Sequence, residues 1–174
     1  MKSEIEKNPN DMVFFFDESR FGTHSKAGHA WFKKGERTPV SVKLGFKNFY
    51  LYSGVSPLSG DSFTLLLPAV NTQCMNIYLK ELGKYSKNQK LFVIMDGASW
   101  HKSKDLQVPD NIKIICLPPY SPELNPVERL WQYIKNKTIK NKVYENIEDL
   151  EKTICDFVKN IKPDDIMSIC TCIN

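Results

Sequence analysis

The apolar positions of the chain fall into two kinds of pattern. Short apolar runs, Met12–Phe16, Leu91–Met95 and Ile112–Leu117 (the last with Lys113 in it), have the length and β-branched or aromatic content of strands buried on both faces. Asn48–Val55 and Ser62–Leu67 are also rich in strand formers, and the cluster Ser56-Pro57-Leu58-Ser59-Gly60-Asp61 between them reads as a turn. The segments Ala30–Phe32 and Thr38–Val40, around Lys33–Arg37, read as a further strand, turn and strand entry, so residues 12–67 are expected to form an antiparallel β unit.

Helical spacing takes over elsewhere. Ile77, Tyr78, Leu82 and Tyr85 predict a helix capped by Asn71 or Thr72. Val127, Leu130, Trp131, Ile134 and Thr138 predict another, with Asn125 as N-cap and Pro126 in the first helical position. Ile147, Leu150, Ile154, Phe157, Val158 and Ile161 predict a third, starting near Asn146 and ended by Pro163. The connection between Met95 and Ile112 is short, with room for a little helix. This order of elements predicts an α/β fold, a mixed five-stranded sheet with helices on its faces. Residues 1–11 read as a polar lead-in, 12–162 as one domain and 163–174 as a short C-terminal tail.

Composition changes this picture little. A chain of 174 residues with 41% hydrophobic and 25% charged residues can build one sizeable core. No apolar run nears the roughly 20 residues of a membrane span, and the polar start lacks a signal peptide's apolar segment, which points to the cytoplasm. A net charge of +4 permits nucleic-acid binding without requiring it. The five cysteines are odd in number and follow no disulfide spacing. Cys116 and Cys155 read as reduced core residues, and Cys170-Thr171-Cys172 lacks the second pair that a zinc site needs.

The chemistry lies in the acids beside these elements. Asp17 and Asp96 each follow an apolar strand, and Glu128 stands in the first turn of a helix. Singly, each has an ordinary reading: a turn aspartate for the first two, and for Glu128 a capping box with Asn125. Glu123, in the same loop, is a rival to Glu128. Together, two strand-end aspartates and a helix-start glutamate can converge at one sheet edge, where hard oxygen donors suit Mg²⁺ or Mn²⁺. A pair of such ions about 4 Å apart serves in-line phosphoryl displacement. With water as nucleophile this cuts a strand; with a DNA 3′-hydroxyl it joins one. No Walker-type glycine loop supports NTP hydrolysis. His101 fits a phosphate contact or a solvated loop equally well, and Trp100 fits base stacking less well than burial. Ser99 and His101 are too close in sequence for a relay triad.

Three blocks carry a resemblance: Phe14–Gly22 (FFFDESRFG), Val93–Ser103 (VIMDGASWHKS) and Leu117–Trp131 (LPPYSPELNPVERLW). They closely resemble the DDE catalytic domain of the insertion-sequence 630 / Tc1-mariner transposase superfamily, and the likeness spans about residues 12–160. It implies a ribonuclease-H-like fold and Mg²⁺-dependent DNA transposition. By position the catalytic and metal-holding acids are Asp17, Asp96 and Glu128, so the resemblance selects Glu128 over Glu123. It also implies transposon-end and target DNA as partners and a dimer on DNA. Arg20, His101, Lys102 and Arg129, with Lys104 and Lys135, are the candidate phosphate contacts.

Two features depart from the family pattern. Only 31 residues lie between Asp96 and Glu128, and only 16 precede Asp17, too few for the helix-turn-helix region by which relatives recognise their ends. A separate helix-turn-helix subunit is the expectation that follows. A non-catalytic remnant, or another ribonuclease-H-like nuclease, is the alternative.

Overall fold

A computed structural model describes residues 11–22, 47–87, 89–97, 103–119, 121–140 and 142–171. The strands are β1 (Met12–Gly22), β2 (Asn48–Val55), β3 (Ser62–Leu67), β4 (Leu91–Met95) and β5 (Ile112–Cys116). They form one sheet in the order β3-β2-β1-β4-β5. β1–β2 and β2–β3 are antiparallel, β1–β4 and β4–β5 parallel, which makes the mixed sheet expected from the sequence. The segments around residues 30–40 lie outside the described residues.

β1 is longer than its apolar run. Beyond Phe16 it alternates, with Asp17, Ser19 and Phe21 on one face and Glu18 and Arg20 on the other. It stays extended to Gly22 because β2 pairs with it as far as Gly22↔Asn48. Asp17 is therefore a mid-strand residue, not one at a strand end. It is the parallel pairing to β4 that stops near it, at Phe15↔Ile94.

Helix α1 (Thr72–Tyr85) covers one face, and its cap is Asn71, whose side-chain oxygen accepts the Cys74 N–H at 2.8 Å. It buries Met75, Tyr78, Leu79 and Leu82 against Phe14, Phe16, Tyr52, Leu91, Val93 and Met95. Ile77, expected on that stripe, points outward and is 50% exposed, while Met75 and Leu79 fill the places facing the sheet. Cys116 is also exposed, because β5 is the edge strand, and Cys155 is half-buried; Cys74 and Cys170 are the buried cysteines. Between Ser103 and Asn111 the described chain forms turns rather than helix.

The opposite face carries α2 (Val127–Thr138), α3 (Ile147–Asn160) and α4 (Pro163–Cys170). Val127, Leu130, Trp131 and Ile134 of α2, Leu150 and Ile154 of α3, and Ile166 and Cys170 of α4 form one cluster with Phe21, Phe49, Leu51 and Val55. Pro163 thus ends α3 and also opens α4, where a missing N–H costs nothing in the first helical position. The stretch expected to be a short tail contributes core side chains.

The β2–β3 turn meets the start of α4. Gly60 has φ +73°, and a Cβ there would collide with the Pro163 carbonyl. Gly60→Ala combines left-handed backbone strain with that clash and is expected to cost about 2–4 kcal/mol, read as a lower urea midpoint at unchanged m-value.

Candidate active site

The parity of the strands sets the site. Leu91, Val93 and Met95 pack on the α1 side, so Ile94 and Asp96 belong to the other face, as do Phe15 and Asp17. Phe15 stands opposite Ile94 in the last pair of the β1–β4 ladder; Asp17 lies two residues on within β1, and Asp96 is the residue just past the end of β4. By the strand parity both fall toward the same face, and Asp96, unlike Glu128, is not among the charges that act on Asp17. In open α/β sheets the carboxyl end of the strands is where ligands bind. Asp96 is exposed and Asp17 half-buried.

Helix α2 begins against this edge. The Asn125 side chain, 5% exposed, donates from Nδ2 to the Phe16 carbonyl at 2.9 Å. Its Oδ1 accepts the Val127 N–H at 3.2 Å, but the helix starts at Val127 with Pro126 as its N-cap, so Asn125 stands one residue before the expected cap position and Glu128 is the second helical residue, not the third that a capping box needs. One turn on, Trp131 is 2% exposed and donates from Nε1 to Asp17 Oδ2 at 2.8 Å. Glu128, exposed in the first turn, lies three residues before Trp131 on the same side of the helix.

The Asp17 carboxyl is pushed up to about 7. Burial is the main cause; the Trp131 indole counteracts it, and the charges of Glu128 and then Glu18 push further upward. The acid beside Asp17 in electrostatic terms is thus Glu128. Glu123 lies in the 3₁₀ turn Pro122–Leu124, exposed, and is not among the charges that act on Asp17. Among the described residues, no three His, Cys, Asp or Glu side chains stand close enough to form a metal-holding set. The side chains of Asp17 and Glu128 are in reach of each other's charge; Asp96 shares their sheet edge.

The candidate phosphate contacts fare differently. Arg20 is exposed on β1, and Lys104 is exposed near the start of the β4–β5 connection. Arg129 is half-buried and donates from Nη1 to the Thr171 carbonyl, tying α2 to the end of α4. Lys135 lies over the Phe21 ring, its ammonium 5.3 Å from the centroid. His101 and Lys102, like Ser99 and Trp100, lie outside the described residues. The sequence reading placed Trp131 and Asn125 in helix packing and capping and missed their bonds to β1. The available signal was that a buried indole N–H needs an acceptor.

The profile of the family described as DDE superfamily endonuclease matches residues 12–151. The chain belongs to this family. The chain is also similar to two curated relatives. An uncharacterized protein, y4pE/y4sA, of Sinorhizobium fredii is 36% identical over 107 residues, covering 61% of this chain and 79% of the relative. The uncharacterized 39 kDa protein of insertion element IS630 from Shigella sonnei is 26% identical over 156 residues, covering 87% of this chain and 46% of the relative. The fold is that of transposase catalytic domains. A pre-cleavage Mos1 transpososome aligns with a TM-score of 0.75 at 15% identity, covering 97% of this chain and 54% of that one. The Mos1 mariner paired-end complex with Mn aligns at 0.72 and 14% identity, covering 91% and 51%. The DDE endonuclease chain thus spans about half the length of the IS630 protein and of the Mos1 transposase chains.

Proposed function

We propose that this domain cuts and joins DNA strands during transposition of an insertion sequence, with Asp17, Asp96 and Glu128 as its catalytic, metal-holding acids. One observation carries the reading: the half-buried Asp17 carboxyl, in mid-β1 just beyond the end of the β4 pairing, feels the charge of Glu128, and the two charges that act on it most are negative. A carboxylate so placed sits among like charges, and a hard divalent cation is what it fits. Mg²⁺ or Mn²⁺, as a pair, would supply Lewis-acid activation of the attacking hydroxyl and stabilisation of the leaving oxygen. The Mn in the Mos1 paired-end complex supports the same chemistry.

The chain's own part is to hold these acids in place. β1 carries Asp17, the end of β4 leads into Asp96, and Asn125 and Trp131 tie the start of α2 to β1. The exposed level of Asp96 and Glu128 leaves the edge open to a DNA backbone. Arg20 and Lys104 are the exposed cations among the described candidates, whereas Arg129 is engaged within the protein. In this reading two copies act on paired ends, and the protein works in the cytoplasm.

The test is cleavage with Mg²⁺ or Mn²⁺ of linear DNA carrying the element's ends, of branched DNA and of an RNA–DNA hybrid. Nicking at the ends, lost in chelator and weakened by salt, is the expected result. Preference for the hybrid or the branched substrate would instead assign a different ribonuclease-H-like nuclease. No metal-dependent cleavage, with no Asp17-dependent Mn²⁺ binding, would mark a non-catalytic remnant.

A further inference from the structure

We propose that Trp131 is a positioning residue for the metal-holding acids, its indole N–H fixing the Asp17 carboxylate across the gap between α2 and β1. This rests on the metal-dependent reading of the same site. The helix stripe explains why a large apolar residue stands at 131: its ring is 2% exposed and meets the Phe21 ring edge-on at 6.2 Å. Packing does not explain why the ring carries a donor. Phenylalanine would pack there too, and a buried indole N–H without an acceptor is costly. Here the acceptor is Asp17 Oδ2 at 2.8 Å, joined across 114 residues of sequence.

The geometry of the bond suits such a role. It occupies one oxygen of the carboxylate, and a metal ion needs only the other. It sets the carboxylate's rotation from a ring that cannot itself turn within the core. It also comes from the helix that carries Glu128, three residues earlier, so one rigid element aims both acids. Asn125 strengthens the coupling from the other end of that turn, through its bond to the Phe16 carbonyl. Partners that orient a metal's ligands in this way typically change metal affinity by about 10–100-fold when removed.

The test compares Mn²⁺ binding by calorimetry in the wild type, Trp131→Phe and Asp17→Asn, with circular dichroism and Tm as controls. Trp131→Phe is expected to bind Mn²⁺ about 10–100-fold more weakly while staying folded. Its nicking rate should recover when Mn²⁺ is raised, because the acids remain. A ring with a purely structural role predicts a lower Tm at unchanged Mn²⁺ affinity, and that outcome overturns the proposal. If the phenylalanine variant does not fold, replacement of Trp131 by benzothienylalanine, which keeps the shape and has sulfur for N–H, decides on the same criterion. If Asp17→Asn leaves wild-type Mn²⁺ binding intact, the metal reading itself fails, a result distinct from failure of the tryptophan's role.

Discussion

Glu128→Gln is expected to lower metal-dependent nicking of transposon-end DNA at least about a thousandfold, whereas Glu123→Gln stays within about twofold of wild type. A thousandfold is roughly 4 kcal/mol of transition-state stabilisation, the scale of losing one donor from a metal-assisted phosphoryl transfer. The two glutamates make a controlled pair. They lie five residues apart, both are exposed, and both precede or begin a helix. The difference between them is position: Glu128 stands in the first turn of α2, where its charge raises the Asp17 carboxyl, while Glu123 sits in the 3₁₀ turn before the helix. Both substitutions keep shape and remove only charge, so unequal folding cannot account for unequal activity. Asp96→Ala should match Glu128→Gln in its loss of nicking. Equal losses at positions 123 and 128 would sink the assignment of the third acid.

The sheet was legible in the sequence because the first half of β1 and all of β4 read as unbroken apolar runs; β5, expected to be buried on both faces, is an edge strand with only Ile112 buried and Lys113 and Cys116 exposed. The acids were legible because they interrupt or follow those runs, and the resemblance selected Glu128 where the residues alone left Glu123 open. What the sequence hid is what depends on partners far along the chain. β1 continues through Asp17 to Gly22 only because β2 pairs with it, and local composition gives no hint of that pairing. Residues 163–170 looked like a tail because the segment after Pro163 is too short to show a helical period; Ile166 and Cys170 become core only when α2 offers them a surface. Ile77 looked like core because its spacing fits a stripe, but Met75 and Leu79 define the stripe that faces the sheet. The bond from Trp131 to Asp17 is the furthest from sight, since it joins a helix face to a strand more than a hundred residues earlier.

Asp17→Asn is expected to make the metal-free protein more stable above neutral pH, and the metal-loaded protein less stable than wild type under the same conditions. The sign follows from proton linkage. The native Asp17 carboxyl titrates at about 7 against an ordinary 3.8. Between those values the native state holds a proton that the unfolded chain has released, so stability falls as pH rises through the window. Above about 7 the whole penalty is present; below about 3.8 it is absent. Partial exposure and solvent screening reduce that penalty to on the order of 1–2 kcal/mol. Asparagine removes it and still offers an oxygen to the Trp131 indole. For a chain of this size the metal-free variant should melt about 4 °C higher at pH 8, with a flatter dependence of Tm on pH from 4 to 7. Bound metal reverses the order, because a divalent cation offsets the negative charges of Asp17, Glu128 and Glu18. At a hundred times its Kd, Mn²⁺ adds about 2.7 kcal/mol to the wild type and little to the variant. Scanning calorimetry of both proteins, with chelator and with Mn²⁺, should therefore give melting curves that exchange places. Curves that keep their order in both buffers would show that the charge at Asp17 is balanced from within the protein, and the metal site would have to be sought elsewhere.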